Sequence, residues 1–231
     1  MAAVARRVAM RLTPENAPAA ARCVAESFAH PQSRDPFTTQ FKLQRHQWFR
    51  MAYPFVQRAA DATNPKGVVV MNEDGETVDA VMVNEDFRMA PPPEYRLLPA
   101  EWRPVRACFR ELHTRFKANY SRPVAEGEIL HCLYFTCVRP EVRGQGLMKA
   151  LWDETQVVAR DYGYKHLVAE APTREVRSVL EESLGFKEVA AVEYADWRFE
   201  GATPTEALAL ANPVEWSRLS ISIRNVFSNM Y

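Results

Sequence analysis

The 231-residue sequence lacks an excess of either charge: 29 Lys and Arg balance 29 Asp and Glu. That removes the basic footprint of a general nucleic-acid binder, and no nucleic-acid partner is expected. It also lacks any apolar run approaching the ~20 residues needed to cross a bilayer, so no membrane partner is expected. The four cysteines, Cys23, Cys108, Cys132 and Cys137, form neither a CxxC pair nor a CxxC…HxxxH spacing. A structural zinc site and a disulfide framework are both disfavoured, a reducing compartment is the default, and no metal is expected. The segment Met1–Arg7 is too short, and too soon followed by Glu15, to read as a secretory signal, so cytoplasmic localisation is the expectation. No internal repeat or low-complexity tract is visible. What is there is ordinary for a globular chain: 47% hydrophobic and 25% charged residues. One α/β (α+β) domain over 1–231 accounts for it, with a core at about 8–201 and a C-terminal strand or tail at about 202–231, as a monomer or homodimer.

The pattern alternates strands and helices. Val8–Leu12 reads as a short strand. Thr13-Pro14-Glu15 signals a helix start, with Thr as N-cap, and the helix runs to Phe28. His30-Pro31 through Asp35-Pro36 breaks it, and a second helix is expected from about Thr38 to Ala60. Val68–Met71 and Val78–Val83 flank Glu73-Asp74-Gly75 as a hairpin. The prolines from Ala90 to Pro104 exclude a regular strand, and a helix follows from about Val105 to Tyr120. Glu128–Val138 is apolar on both alternations, so a strand buried on both sides is expected, with His131 and Tyr134 on opposite faces. A helix to about Tyr162, a strand at His166–Ala171, a helix at Arg174–Ser183 and one or two strands over Val189–Phe199 complete the pattern.

The informative stretch is Cys137 to Lys149, CVRPEVRGQGLMK: a buried strand, a turn with proline, then a glycine loop opening a helix. First-turn amides of a helix have no intrahelical partner and carry the positive end of the macrodipole, so an anion such as a pyrophosphate suits them. A P-loop needs GxxxxGK[ST], which is absent. A dinucleotide fingerprint needs GxGxxG, and Lys149 stands at its third position. An acyl-CoA loop, (Gln/Arg)-x-x-Gly-x-(Gly/Ala), fits Arg143–Met148 except for Met148 at the last small position. An accidental tight turn is the remaining reading.

On these residues the chain resembles the GCN5-related N-acetyltransferase (GNAT) superfamily. VRPEVRGQGLMKALW is similar to its central motif and VLEESLGFKEV to its later helix–Leu-Gly-Phe–strand motif. Tyr194-Ala195-Asp196-Trp197-Arg198-Phe199-Glu200-Gly201 and Arg34-Asp35-Pro36-Phe37 look like the arylalkylamine (dopamine-type) branch of invertebrates. The resemblance implies a mixed, mostly antiparallel sheet splayed between two parallel strands and flanked by helices, with acetyl-CoA in the splay. It implies a pyrophosphate cradle of Arg143, Gly144, Gln145, Gly146, Leu147, Met148 and Lys149, with pantetheine on the backbone of Cys137 and Val138. It further implies direct attack of a small-molecule amine on the thioester. Asp35 is the candidate base, and Thr173, Ser178 and Tyr134 are candidate catalytic hydroxyls. Arg177 and Glu181 depart from the branch pattern.

Phe28, Phe37, Tyr95 and Trp102 are candidates to receive an aryl group, in a pocket built by the first two helices and the proline segment. The cysteines read as small core residues. A non-catalytic acyl-CoA module, a peptide N-acetyltransferase and a nicotinamide enzyme are the rival functions. Amine-dependent thiol release separates the first from an enzyme.

Overall fold

The computed structural model describes residues 8–227; Met1–Arg7, and with them any targeting role of that segment, lie outside the described residues, as do residues 228–231. The chain runs β1 (Ala9–Arg11), α1 (Ala17–Phe28), α2 (Pro36–Phe41), α3 (Arg45–Ala59), β2 (Val68–Met71), β3 (Val78–Met82) and β4 (Asn84–Asp86). It continues with α4 (Trp102–Asn119), α5 (Ser121–Glu126), β5 (Ile129–Cys132), β6 (Cys137–Val138), α6 (Leu147–Asp161) and β7 (His166–Ala171). The last elements are α7 (Arg174–Ser178), β8 (Lys187–Glu193), α8 (Glu206–Ala211) and β9 (Arg218–Asn225).

Among the described residues the strands pair in two sheets, β1-β2-β3-β6 and β4-β5-β7-β9-β8, in which only β5 and β7 run parallel. The sheets are two halves of one surface. β3 passes into β4 through Val83, whose carbonyl accepts from the Leu133 amide (2.8 Å) on the way from β5 to β6. Side-chain alternation sorts the strands onto two cores. Val69, Val81, Ile129 and Val168 pack with α1, α3 and α4, whereas Val70, Met82, Leu130 and Ala169 pack with Leu147, Leu151 and Val158 of α6.

Several boundaries differ from the pattern reading. The first helix begins at Ala17, with Asn16 rather than Thr13 at its cap; the Thr13 amide instead donates to Asn16 Oδ1 (2.9 Å). The expected helix from Thr38 to Ala60 is two helices, broken at Lys42, whose left-handed φ of 54° ends α2. The strand expected over Glu128–Val138 is interrupted by a turn in which the Thr136 amide donates to the Leu133 carbonyl (3.2 Å). That turn brings Tyr134 to the same face as His131, correcting the expectation of opposite faces. Val189–Phe199 shortens to β8, because Thr205 Oγ1 and the Phe199–Ala202 bridge fold the following residues into a loop. The C-terminal segment supplies β9, which lies between β7 and β8 as an interior strand.

Candidate functional site

The parallel pairing of β5 with β7 stops at Cys132 and Ala169. Beyond it β6 turns away to pair with β3, while β7 continues along β9 to Ala171. A crevice opens between them. The Arg139 amide donates to the Asp79 carbonyl (2.9 Å), and Cys137 lies opposite Val81. Antiparallel alternation therefore directs the backbone groups of Cys137 toward β3 and those of Val138 toward the crevice. Arg143 Nε lies 3.5 Å from the Val138 carbonyl.

The loop after β6 makes one short 3-10 turn at Pro140–Val142 and then passes through Gly144 (φ 76°) and Gly146 (φ 78°) into α6. Both glycines need the left-handed region, where an L side chain is strained, yet a Cβ on either meets no protein atom within 4 Å. Packing does not demand glycine here; backbone conformation does, and it leaves the concave side of the loop open. The first bond into α6 runs from the Ala150 amide to the Gly146 carbonyl (3.2 Å). The amides of Leu147, Met148 and Lys149 are thus the unpartnered first turn. Arg143, Gly144, Gln145 and Gly146 are exposed, Leu147 is buried in the core, and Met148 packs against that core. Lys149 is turned along the helix to Asp153 (2.6 Å).

On the α1/α3/α4 face a cavity of about 690 Å³ is walled by aromatic side chains that include Trp48, Phe55, Tyr95, Trp102, Phe109 and Tyr134. Tyr95 and Trp102 therefore line it. Phe28 and Phe37 do not, which corrects the expectation for both: Phe28 packs on Trp48 (4.4 Å) and Phe37 on Tyr194 (5.9 Å), and both back Tyr134 from behind. The pocket is built by α3, which is the second half of the helix expected from Thr38 to Ala60, by α4 and by the proline segment; of the first two expected helices only the first contributes no lining residue.

Asp35 reaches this cavity only through Tyr134. Its Oδ1 caps α2 by accepting from the Thr38 amide (2.5 Å), and its Oδ2 accepts from the Tyr134 hydroxyl. Capping and chemistry are compatible, since they use different oxygens. Burial pushes the Asp35 carboxyl up to about 7, against donation from Thr38 and Phe37. Thr173 is a buried N-cap, accepting from the Val176 amide (3.3 Å). Ser178 is half-buried at the end of α7. Arg177 ties α7 to β9 through the Arg218 carbonyl (3.0 Å) and Ser217 Oγ (3.1 Å). The cysteines are buried free thiols; burial lifts Cys108 to about 12 and holds Cys132 well above its ordinary value, which makes neither a nucleophile at neutral pH.

The cavity wall also holds a group that pattern reading missed. Glu170 Oε1 meets His131 Nε2 at 2.6 Å and His113 Nε2 at 2.8 Å. Burial works to raise Glu170, but the two imidazoles outweigh it and hold the carboxyl down to about 2. Burial likewise lowers His113, whereas for His131 the carboxylates of Glu170 and Glu85 prevail and raise it. Glu85, opposite His131 in the β4–β5 register, is ion-paired with Arg58. Only His131 had a signal in the sequence, as a polar residue on an apolar strand.

No family model and no curated protein matches the chain. Solved structures do. The C-terminal condensation domain of Ebony, in complex with beta-alanyl-dopamine, superposes with a TM-score of 0.76 at 14% identity, over 95% of this chain and 99% of that one. Arylalkylamine N-acetyltransferase 2 from Aedes aegypti gives 0.70 at 15% identity, over 96% and 99%. A Salmonella typhimurium acetyltransferase solved with acetyl-CoA gives 0.53 at 13% identity, over 96% and 95%. The chain has the fold of the GNAT acetyltransferases, arylalkylamine N-acetyltransferases among them.

Proposed function

We propose that the chain is an acetyl-CoA-dependent N-acetyltransferase acting on the primary amine of a small molecule, of arylalkylamine or polyamine type. The observation that carries this is the run of free first-turn amides behind two left-handed glycines, at the mouth of a crevice into which Val138 directs its backbone. A diphosphate suits those amides, and the Val138 N–H is placed to polarise a thioester carbonyl and hold the oxyanion that forms. The neighbours support the reading: one holds acetyl-CoA, and another is an arylalkylamine enzyme.

In this reading the acceptor lies in the aromatic cavity with its nitrogen toward Tyr134. An alkylamine of pKa about 10 arrives mostly protonated and must lose a proton before attack. Tyr134 passes that proton on: its oxygen takes one from the amine as its own hydroxyl proton moves to Asp35 Oδ2. A carboxyl lifted to about 7 is poised for this at neutral pH. The free amine then attacks the thioester carbon, the C–S bond breaks, and the proton that the nitrogen sheds as the amide forms goes to the departing CoA sulfur, so a thiol of pKa about 8.5 needs no dedicated acid.

Thiol release from acetyl-CoA, followed with dopamine, tryptamine and spermidine, tests the proposal. Amine-dependent release with at least one is expected. Gly146→Val should raise the KM for acetyl-CoA about tenfold or more, the equivalent of one lost hydrogen bond to a charged group. CoA binding without amine-dependent release would make the chain a non-catalytic module, and an unchanged KM in Gly146→Val would remove the cradle.

A further inference from the structure

His113 comes from α4, His131 from β5 and Glu170 from β7, so three elements distant in sequence converge on one wall of the cavity. Their nearest nitrogen and oxygen atoms all lie within 4.8 Å of one another. His131 and Glu170 are buried, and His113 is partly so. Phe87 packs against both rings, at 5.3 Å from His113 and 4.9 Å from His131, fixing their planes.

The carboxylate is only half used. Oε1 takes both imidazoles, while Oε2 is buried with no hydrogen-bond partner among the described residues. Nor does an arginine or lysine neutralise it among the described residues. Arg58 is committed to Glu85 and the Ala90 carbonyl, and Lys117 sits over the Phe87 ring at 5.5 Å. A buried carboxylate is ordinarily paired with a cation or bound to a metal; here its partners are two imidazoles, which are cationic only when protonated and serve equally as metal ligands. Two imidazoles and one carboxylate, with an open side on a cavity, are the donor set that borderline divalent ions take with one position left for water or substrate.

We propose that His113, His131 and Glu170 form a binding site for a divalent cation of the zinc class, with its remaining coordination position facing the cavity. Bonds of about 2.0–2.2 Å at tetrahedral angles put neighbouring donors about 3.3 Å apart, so the present contacts must open by roughly half an ångström. The site does not depend on the acetyl-transfer reading. A cation there would give the pocket a Lewis-acid anchor for a hydroxyl, ring nitrogen or second amine of an acceptor in the cavity.

The test uses the tag-free full chain, stripped by a chelator and dialysed, titrated with ZnCl2 by calorimetry and with CoCl2 by visible absorption. One equivalent of each metal should bind, and cobalt should show the intense d–d bands of a low-coordinate site. His113→Ala and His131→Ala should each weaken binding by about 100-fold or more, since loss of an outer-shell partner alone costs 10–100-fold. Glu170→Gln, nearly isosteric, should do the same while circular dichroism shows the fold retained. No stoichiometric uptake by the wild-type chain overturns the proposal. So does uptake that all three substitutions leave unchanged, or a thiolate-to-cobalt charge-transfer band in the wild-type spectrum, which would put the metal on cysteine.

Discussion

Replacing Asp35 by Asn keeps an oxygen for the α2 cap and a group for Tyr134, but removes the charge. The wild-type carboxyl is lifted to about 7 in the fold, against 3.8 as its ordinary value. Between those two values the native state holds a proton that the unfolded chain has released. Stability from this group is therefore greatest below the ordinary value and is lost as pH rises toward 7. From pH 5 to pH 7 this spans two units, or about 3 kcal/mol at 1.36 kcal/mol per unit. Burial lowers His113 while the carboxylates raise His131, so both add their own pH dependence and the difference between wild type and Asp35→Asn is the useful quantity. Urea unfolding at pH 5 and pH 8 should show the wild type losing about 3 kcal/mol relative to the variant. Thiol release by the variant should fall by about 100-fold, the scale of a general base. Parallel stability curves would refute the buried-charge argument, and wild-type turnover at every pH would clear Asp35 of the base role.

Tyr134→Phe removes the hydroxyl that donates to Asp35 Oδ2, an interaction that favours the charged carboxylate. The acidic limb of the kcat profile should move to higher pH and kcat should fall, while the KM for acetyl-CoA stays unchanged. Thr173→Ala removes the cap of α7 and should lower stability by about 1 kcal/mol, read by urea unfolding. Thr173→Ser should restore it; kcat lost in the Ala variant beyond its loss of stability, and recovered in the Ser variant, would give the hydroxyl a chemical role beyond its cap.

How much of this was legible follows from the range of each signal. The glycine loop is local, so Arg143–Met148 and its helix were readable in full, as was the strand His166–Ala171 with its glycine stop before and proline after. The turn at Leu133–Thr136 was not, because LYFT contains none of the residues that punctuate a chain. It exists because β6 must leave β7 and join β3, a tertiary demand that overrides an apolar strand pattern. Lys42 broke a helix in the same unannounced way, by taking a left-handed φ without being glycine or asparagine. Asp35 and Tyr134 were each visible as candidates, yet nothing local says that they touch. His113 and Glu170 are 57 residues apart and share no motif, so only the fold could bring them together. Phe28 and Phe37 carried the right chemistry for an aryl pocket but the wrong depth.

The central claim is that the amides around residues 144–149 hold a diphosphate and lay a thioester along Val138. A crystal structure of the chain with CoA tests it most directly. The account predicts the diphosphate on those amides, the pantetheine arm between β6 and β7, and the sulfur on the Tyr134 side of the crevice. A crevice closed by protein, or CoA bound elsewhere, would contradict it.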